Sequence, residues 1–253
     1  MSAERFATVL ALFFDLDDTL CAYWEASKHG LRVAFERLGP PGKTPDEMIE
    51  HWARSFRSFS PSLKASDWYP AYLKTGEPTR TEQMRLALLE VGVDDPRRAG
   101  ELSRCYMEER DRALRLFPDV TMVLDRLQER FRLGLITNGP ADVQRQEIAT
   151  LGLDGRFDPV LIEGELGFGK PHASVFEQAA RLVACAPTQL LFVGNSYRHD
   201  IRPAIDAGWA TAWVRRDSDV SPSSKGPEDR PDGSPEPTAT IGSLRELLPL
   251  LGV

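Results

Sequence analysis

The run Val9 to Phe14, VLALFF, is apolar at every position and stops abruptly at Asp15. A strand that is hydrophobic on both faces needs cover on both, which a parallel sheet with flanking helices provides and a half-exposed antiparallel sheet does not. Similar short runs recur at Leu133 to Ile136, Pro159 to Ile162, Leu190 to Val193 and Thr211 to Val214, and amphipathic stretches such as Ala141 to Leu151 and Ala173 to Val183 separate them. This alternation predicts an α/β fold built on a doubly wound parallel sheet.

The second constraint is a gap. Cys21 to Arg130 lies between the first run and the next, far more chain than the roughly one dozen residues that a crossover between parallel strands requires. The inserted chain has a helical period. Ser27, Leu31, Ala34, Phe35 and Leu38 share one face, as do Leu102, Cys105, Tyr106 and Ala113. Residues 23–115 therefore read as a small helical cap domain with its own core, and 1–22 with 116–253 as the sheet domain. Asp119 to Arg130, behind Pro118, reads as the helix leading back to the sheet. Residues 217–237, rich in Ser, Pro, Gly and charge, read as a flexible loop within the sheet domain. A closing helix follows, with Ser243 and Glu246 at capping-box spacing.

Composition narrows the partners. A formal charge of -7 argues against a nucleic-acid groove, which draws on clustered Lys and Arg. The N-terminal apolar stretch is interrupted by acids too early to span a bilayer and lacks the basic start of a signal peptide, so no membrane partner is expected. Cys21, Cys105 and Cys185 show no paired spacing and read as idle thiols of a reducing compartment, hence a cytoplasmic protein. A monomer or homodimer is expected.

Ligands of open parallel sheets bind beyond the carboxyl ends of the strands. The residues that follow each apolar run are Asp15 with Asp17, Thr137 with Asn138, and Asn195 with Asp200; Lys170 lies in the Gly-rich connection GELGFGKPH. Acids, a hydroxyl, amides and one lysine meeting in a crevice suit phosphoryl transfer, in which the protein positions reactants and neutralises charge on the phosphoryl oxygens. A magnesium ion, Mg2+, prefers such hard oxygen ligands. Asp15 can then serve as ligand and nucleophile together, because a carboxylate approaching a phosphate meets like charge unless a cation and Lys170 offset it. Asp17, two residues on, is placed to protonate the leaving oxygen and later to deprotonate water.

Asp15-Leu16-Asp17-Asp18-Thr19 resembles the DxDxT signature of the haloacid dehalogenase superfamily, and three further motifs follow in that family's order. Ile136-Thr137-Asn138-Gly139 is similar to the second, Lys170-Pro171 to the third, and Val193-Gly194-Asn195-Ser196 with Asp200 to the fourth. The resemblance implies a Rossmann-like core and a magnesium-dependent phosphatase acting on a small phosphorylated metabolite. It implies Asp15 as nucleophile, Asp17 as general acid and base, and Thr137, Asn138 and Lys170 as phosphate-binding residues. Asp15, Asp17, Asn195 and Asp200 would hold the metal. The acid at Asp17 points to phosphate esters, since members that cleave carbon–halogen bonds generally lack it. The departure is Asn195, where the family usually has an Asp; weaker magnesium binding is expected there.

Two other readings stand beside this one: a phosphomutase with the same nucleophile, and a weakly active or inactive binding module of the same fold. Asp18 reads as a turn or packing acid. Trp24, Trp52 and Trp68, three of the five tryptophans, read mainly as cap core. Trp24, next to the catalytic loop, is the candidate for substrate contact. His29, His51, His172 and His199 show no metal-ligand spacing and are assigned no role.

Overall fold

In the first apolar run, alternate residues serve opposite faces of one sheet. In strand β1 (Ala11–Phe14), Leu12 and Phe14 join a cluster with Leu133, Leu135, Leu191 and Val193, while Ala11 and Phe13 join another with Ile136, Leu190 and Phe192. Residues 3–253 are described by the computed structural model. Its sheet contains β1, β2 (Arg132–Thr137), β3 (Val160–Ile162), β4 (Leu190–Gly194), β5 (Ala210–Val214) and β6 (Ala239–Ile241), in the order β3-β2-β1-β4-β5-β6 with every pairing parallel. The sixth strand is an addition to the five apolar runs of the sequence. It is short and only one of its three residues is fully buried, so it lacks the continuous apolar signal of the others.

The helices arise from the same chain economy. The insertion after β1 forms α1 (Tyr23–Leu38), α2 (Pro45–Phe59), α3 (Tyr69–Lys74), α4 (Glu77–Leu89) and α5 (Pro96–Ala113). Leu31, Phe35, Met48, Trp52, Met84, Leu88, Leu102 and Tyr106 enclose a separate apolar cluster there. α1 and α5 approach very closely at Gly30, where a Cβ would stand 2.7 Å from the Tyr106 carbonyl oxygen, so glycine's helix-propensity cost is offset by tight packing. Thr44 caps α2 with a reciprocal Glu47 bond, and Asp95 caps α5.

The sheet itself is covered on both faces. α6 (Val120–Gln128), α7 (Ala141–Thr150) and α11 (Leu247–Leu251) contribute to the Leu12 and Phe14 side, and α9 (Ala173–Val183) and α10 (Arg202–Asp206) to the Phe13 side; α8 (Glu163–Leu166) follows β3 directly. Residues 217–237 contain no helix or strand. No helix among the described residues is long and apolar enough to cross a membrane.

Register is what positions the functional residues. Phe14 pairs with Leu135 on one side and with Val193 on the other. Asp15 is therefore one residue past that level, and Thr137 and Asn195 are each two past it, so all three emerge at the same edge. The chain runs from β1 outward through β2 and β3 on one side and returns to β4 on the other, and the crevice opens at this switch point.

Phe13 stands opposite Gly134 in this register, and a Cβ on Gly134 would lie 2.3 Å from the Phe13 ring. Gly134→Ala is expected to lower the unfolding free energy by ~1–3 kcal/mol through overpacking, read by chemical denaturation; an unchanged midpoint would contradict the packing described here.

Candidate active site

Lys170 is the focus of the strand-end residues. It is 2% exposed, and its Nζ lies 2.5 Å from Asp15 Oδ1 and 2.7 Å from Asp200 Oδ1. Burial disfavours its cation, but the two carboxylates more than offset this and the ammonium is held above its ordinary value. Asp15 is pushed up to about 6 by burial, against the pull of Lys170. Burial likewise raises Asp200. The trio is therefore a desolvated cluster in which each charge depends on the others.

Neighbouring groups fix it. Asn138 Nδ2 donates to the Lys170 carbonyl at 2.7 Å, and the Lys170 N–H donates to Asn138 Oδ1 at 2.8 Å. The amide expected to meet phosphate is thus engaged with the lysine backbone, which it clamps in place. The Thr19 hydroxyl lies 3.2 Å from both Asp15 Oδ2 and Asn195 Oδ1. Asn195 Nδ2 donates to Asp219 Oδ2 at 2.8 Å, and Asp200 Oδ2 accepts the Ser196 N–H at 3.0 Å. Asp219, in the Ser- and Pro-rich segment, thus restores a negative charge one hydrogen bond beyond the neutral Asn195. Burial raises it to about 6.

Asp17 faces a second polar cluster. Its Oδ2 accepts from Gln144 Nε2 at 3.2 Å, and the Gln144 amide oxygen accepts from the Thr137 hydroxyl at 2.6 Å. Burial and then the charge of Asp15 lift Asp17 to about 6, although Arg110 and Gln144 draw it down. Burial, reinforced by Asp17, holds Glu147 well above the usual carboxylate range. Arg110, from α5, meets Glu147 at 2.9 Å across the boundary between inserted helices and sheet.

All the strand-end residues singled out in the sequence, Asp15, Asp17, Thr137, Asn138, Lys170, Asn195 and Asp200, line one cleft of about 470 Å³. Trp24, Phe56, Tyr72 and Arg80 form part of its opposite wall, contributed by the inserted helices. His199, assigned no role from sequence, also lines it. Residues that the sequence reading passed over are Gln144, Glu147, Arg110, Asp219 and Glu163, the last accepting the Gly139 N–H at 3.1 Å. A signal existed for the first three. Gln144 and Glu147 interrupt the apolar stripe of Val143, Ile148 and Leu151, and Arg110 continues the buried stripe of Leu102 and Tyr106.

The oxygens of Asp15, Asn195 and Asp200 form a hard donor set, and Asp200 Oδ1 is buried with no hydrogen-bond donor besides its ion pair with Lys170. Such a set fits Mg2+. No group of three or more His, Cys, Asp or Glu side chains placed to hold a metal ion occurs among the described residues, so the donor set consists of two carboxylates and one amide oxygen.

Comparison with known proteins places this arrangement. A family model for haloacid dehalogenase-like hydrolases matches residues 9–208. A phosphoserine phosphatase of Thermus thermophilus is 37% identical, over 93% of this chain and 96% of its own. A glyceraldehyde 3-phosphate phosphatase of Methanopyrus kandleri is 27% identical, over 94% of this chain and 98% of its own. Among solved structures, the HAD-hydrolase YfnB of Bacillus subtilis, bound to magnesium, aligns with a TM-score of 0.73 at 22% identity, covering 97% of this chain and 99% of that one.

Asp18 yields a test of the acidic site's electrostatics. It adopts φ 58°, a conformation Asp and Asn tolerate, accepts the Trp24 N–H at 3.0 Å, and is raised by burial to about 9. The folded chain therefore binds this proton more tightly than the unfolded chain, whose carboxyl titrates at about 4. Its contribution to stability is complete at low pH and is lost as pH rises from about 4 through about 9. In chelator-treated protein the thermal midpoint is expected to fall across that window. Asp18→Asn is expected to flatten the fall and to raise the midpoint at alkaline pH. An unaltered pH slope in the variant would contradict the assignment.

Proposed function

The chain belongs to the haloacid dehalogenase-like hydrolases, and on that premise we propose that it is a magnesium-dependent phosphatase that hydrolyses a small phosphomonoester through an aspartyl-phosphate on Asp15. The observation that carries this reading is the Lys170 ammonium 2.5 Å from Asp15. A carboxylate and a phosphate monoester repel each other, and a buried cation beside the nucleophile offsets that repulsion where the low dielectric makes it largest.

Each remaining residue has a task. Lys170 stays protonated and neutralises charge as the phosphoryl group approaches Asp15. Thr137 lines the phosphate-binding pocket with its one hydroxyl proton directed to the Gln144 amide oxygen, and Asn138 keeps Lys170 in register. Asp17, lifted to about 6, holds a proton in a useful fraction of molecules near neutrality and gives it to the leaving oxygen. Deprotonated by that step, it next takes a proton from the water that attacks phosphorus. Asp15, Asp17, Asn195 and Asp200 are the residues proposed to hold magnesium, which when bound supplies positive charge to the phosphoryl oxygens. The inserted helices, residues 23–115, act as a cap whose aromatic wall excludes water and selects the leaving group.

The named activities of the relatives, on phosphoserine and on glyceraldehyde 3-phosphate, support a small phosphorylated metabolite as substrate. With magnesium and a panel of such esters, the wild-type protein is expected to release phosphate, and chelation to abolish release. Asp15→Asn is expected to lower turnover by at least ~10³-fold without shifting the unfolding midpoint downward. Retained phosphatase activity in that variant would overturn the mechanism. Asn195→Asp is expected to lower the magnesium concentration needed for half-maximal activity; an unchanged requirement would remove Asn195 from the metal site.

A further inference from the structure

The hydrogen-bond network behind Asp17 contains a residue with no task so far. Gln144 is 2% exposed and every polar atom of its amide is used. Its oxygen accepts from Thr137 at 2.6 Å, while its nitrogen donates to Asp17 Oδ2 at 3.2 Å and to Glu147 Oε2 at 2.8 Å. Turning the amide over would cost the Thr137 hydroxyl its acceptor and set the amide oxygen against two carboxyl groups, so the observed orientation is favoured. Sterics agree. A Cβ on Gly139 would lie 3.1 Å from Gln144 Nε2, so the glycine is the wall that the amide rests on. Behind it, Glu147 is held by Arg110 at 2.9 Å, and both of these side chains are buried.

We infer that Gln144 is a positioning residue for the reaction, fixing the Asp17 carboxyl and the Thr137 hydroxyl in one relative orientation, with Arg110 holding it there through Glu147. The inference rests on the phosphatase reading and deepens it. In the first half-reaction an Asp15 oxygen bonds to phosphorus as the bond from phosphorus to the leaving oxygen breaks, and that oxygen takes the Asp17 proton. In the second, water gives a proton to Asp17 as its oxygen bonds to phosphorus and the Asp15–phosphorus bond breaks. Gln144 touches neither phosphorus nor the leaving group. It sets the angle at which Asp17 meets them.

Leaving groups separate this role from a purely structural one. A nitrophenolate departs without a proton, whereas an alkoxide needs one, and kcat/KM reports only the steps through departure. The experiment compares wild type, Gln144→Met and Gln144→Glu on p-nitrophenyl phosphate and on the better of O-phosphoserine and glycerol 3-phosphate. Thermal unfolding is measured alongside. The near-isosteric Gln144→Glu keeps the acceptor for Thr137 and has at most one proton in place of the two N–H donations to Asp17 and Glu147, so it carries the test if the Met variant does not fold. The loss of kcat/KM on the alkyl ester is expected to exceed the loss on the aryl ester by about tenfold or more in folded variants. Equal losses on the two esters, or no loss, would overturn the inference. So would a wild type that hydrolyses the aryl ester and neither alkyl ester, since no leaving group would then need the proton. A wild type inactive on every ester would instead sink the phosphatase reading, and the inference with it.

Discussion

One buried ammonium organises this molecule's crevice. Lys170 reaches Asp15 from the end of β1 and Asp200 from the chain beyond β4, so a single cation ties together segments far apart in sequence. Among the described residues neither carboxylate pairs with any other cation. Taking the lysine away would leave two desolvated carboxylates uncompensated, a costly state in a low-dielectric interior, whereas losing one carboxylate leaves the lysine paired with the other. That dependence explains the precision of the surrounding contacts. Asn138 spends its amide on the lysine backbone, Ser196 donates to Asp200, and Thr19 bridges Asp15 to Asn195.

A second buried charge works at the boundary between the inserted helices and the sheet. Arg110 belongs to α5 but meets Glu147 on α7, and its neighbour Asp111 accepts from Gln146 on that same helix. The two layers are thus joined by polar contacts beside the proposed general acid. Apolar contact alone would join them without specifying orientation, whereas paired, directional groups do specify it. The proposed cap is in this way connected to the chemistry it covers.

Much of this was legible in the sequence because it rests on local signals. A strand buried on both faces needs continuous apolar residues, so five of the six strands announced themselves, and the acids ending the first run marked its carboxyl end. The cleft residues followed from topology, since every one had to emerge at a strand end or an adjoining loop. β6 was not legible, being short and buried at only one of its three residues. Asp219 was hidden for another reason: nothing in a Ser- and Pro-rich segment reveals that one of its acids returns to Asn195. Gln144 and Arg110 were visible only as polar interruptions of apolar stripes. Such interruptions have meaning only once the partner helix is known.

The departure at Asn195 shows the same limit. Read alone, the amide removes a charge from the site; in the folded chain Asp219 stands behind it and carries that charge outward by one hydrogen bond. What matters most is whether the lysine-bound carboxylate of Asp15 itself takes the phosphoryl group. Acid quench of the protein during turnover, followed by tandem mass spectrometry of its peptides, measures this directly. The expected result is a phosphoryl group on Asp15; a phosphoryl group on any other residue would contradict it.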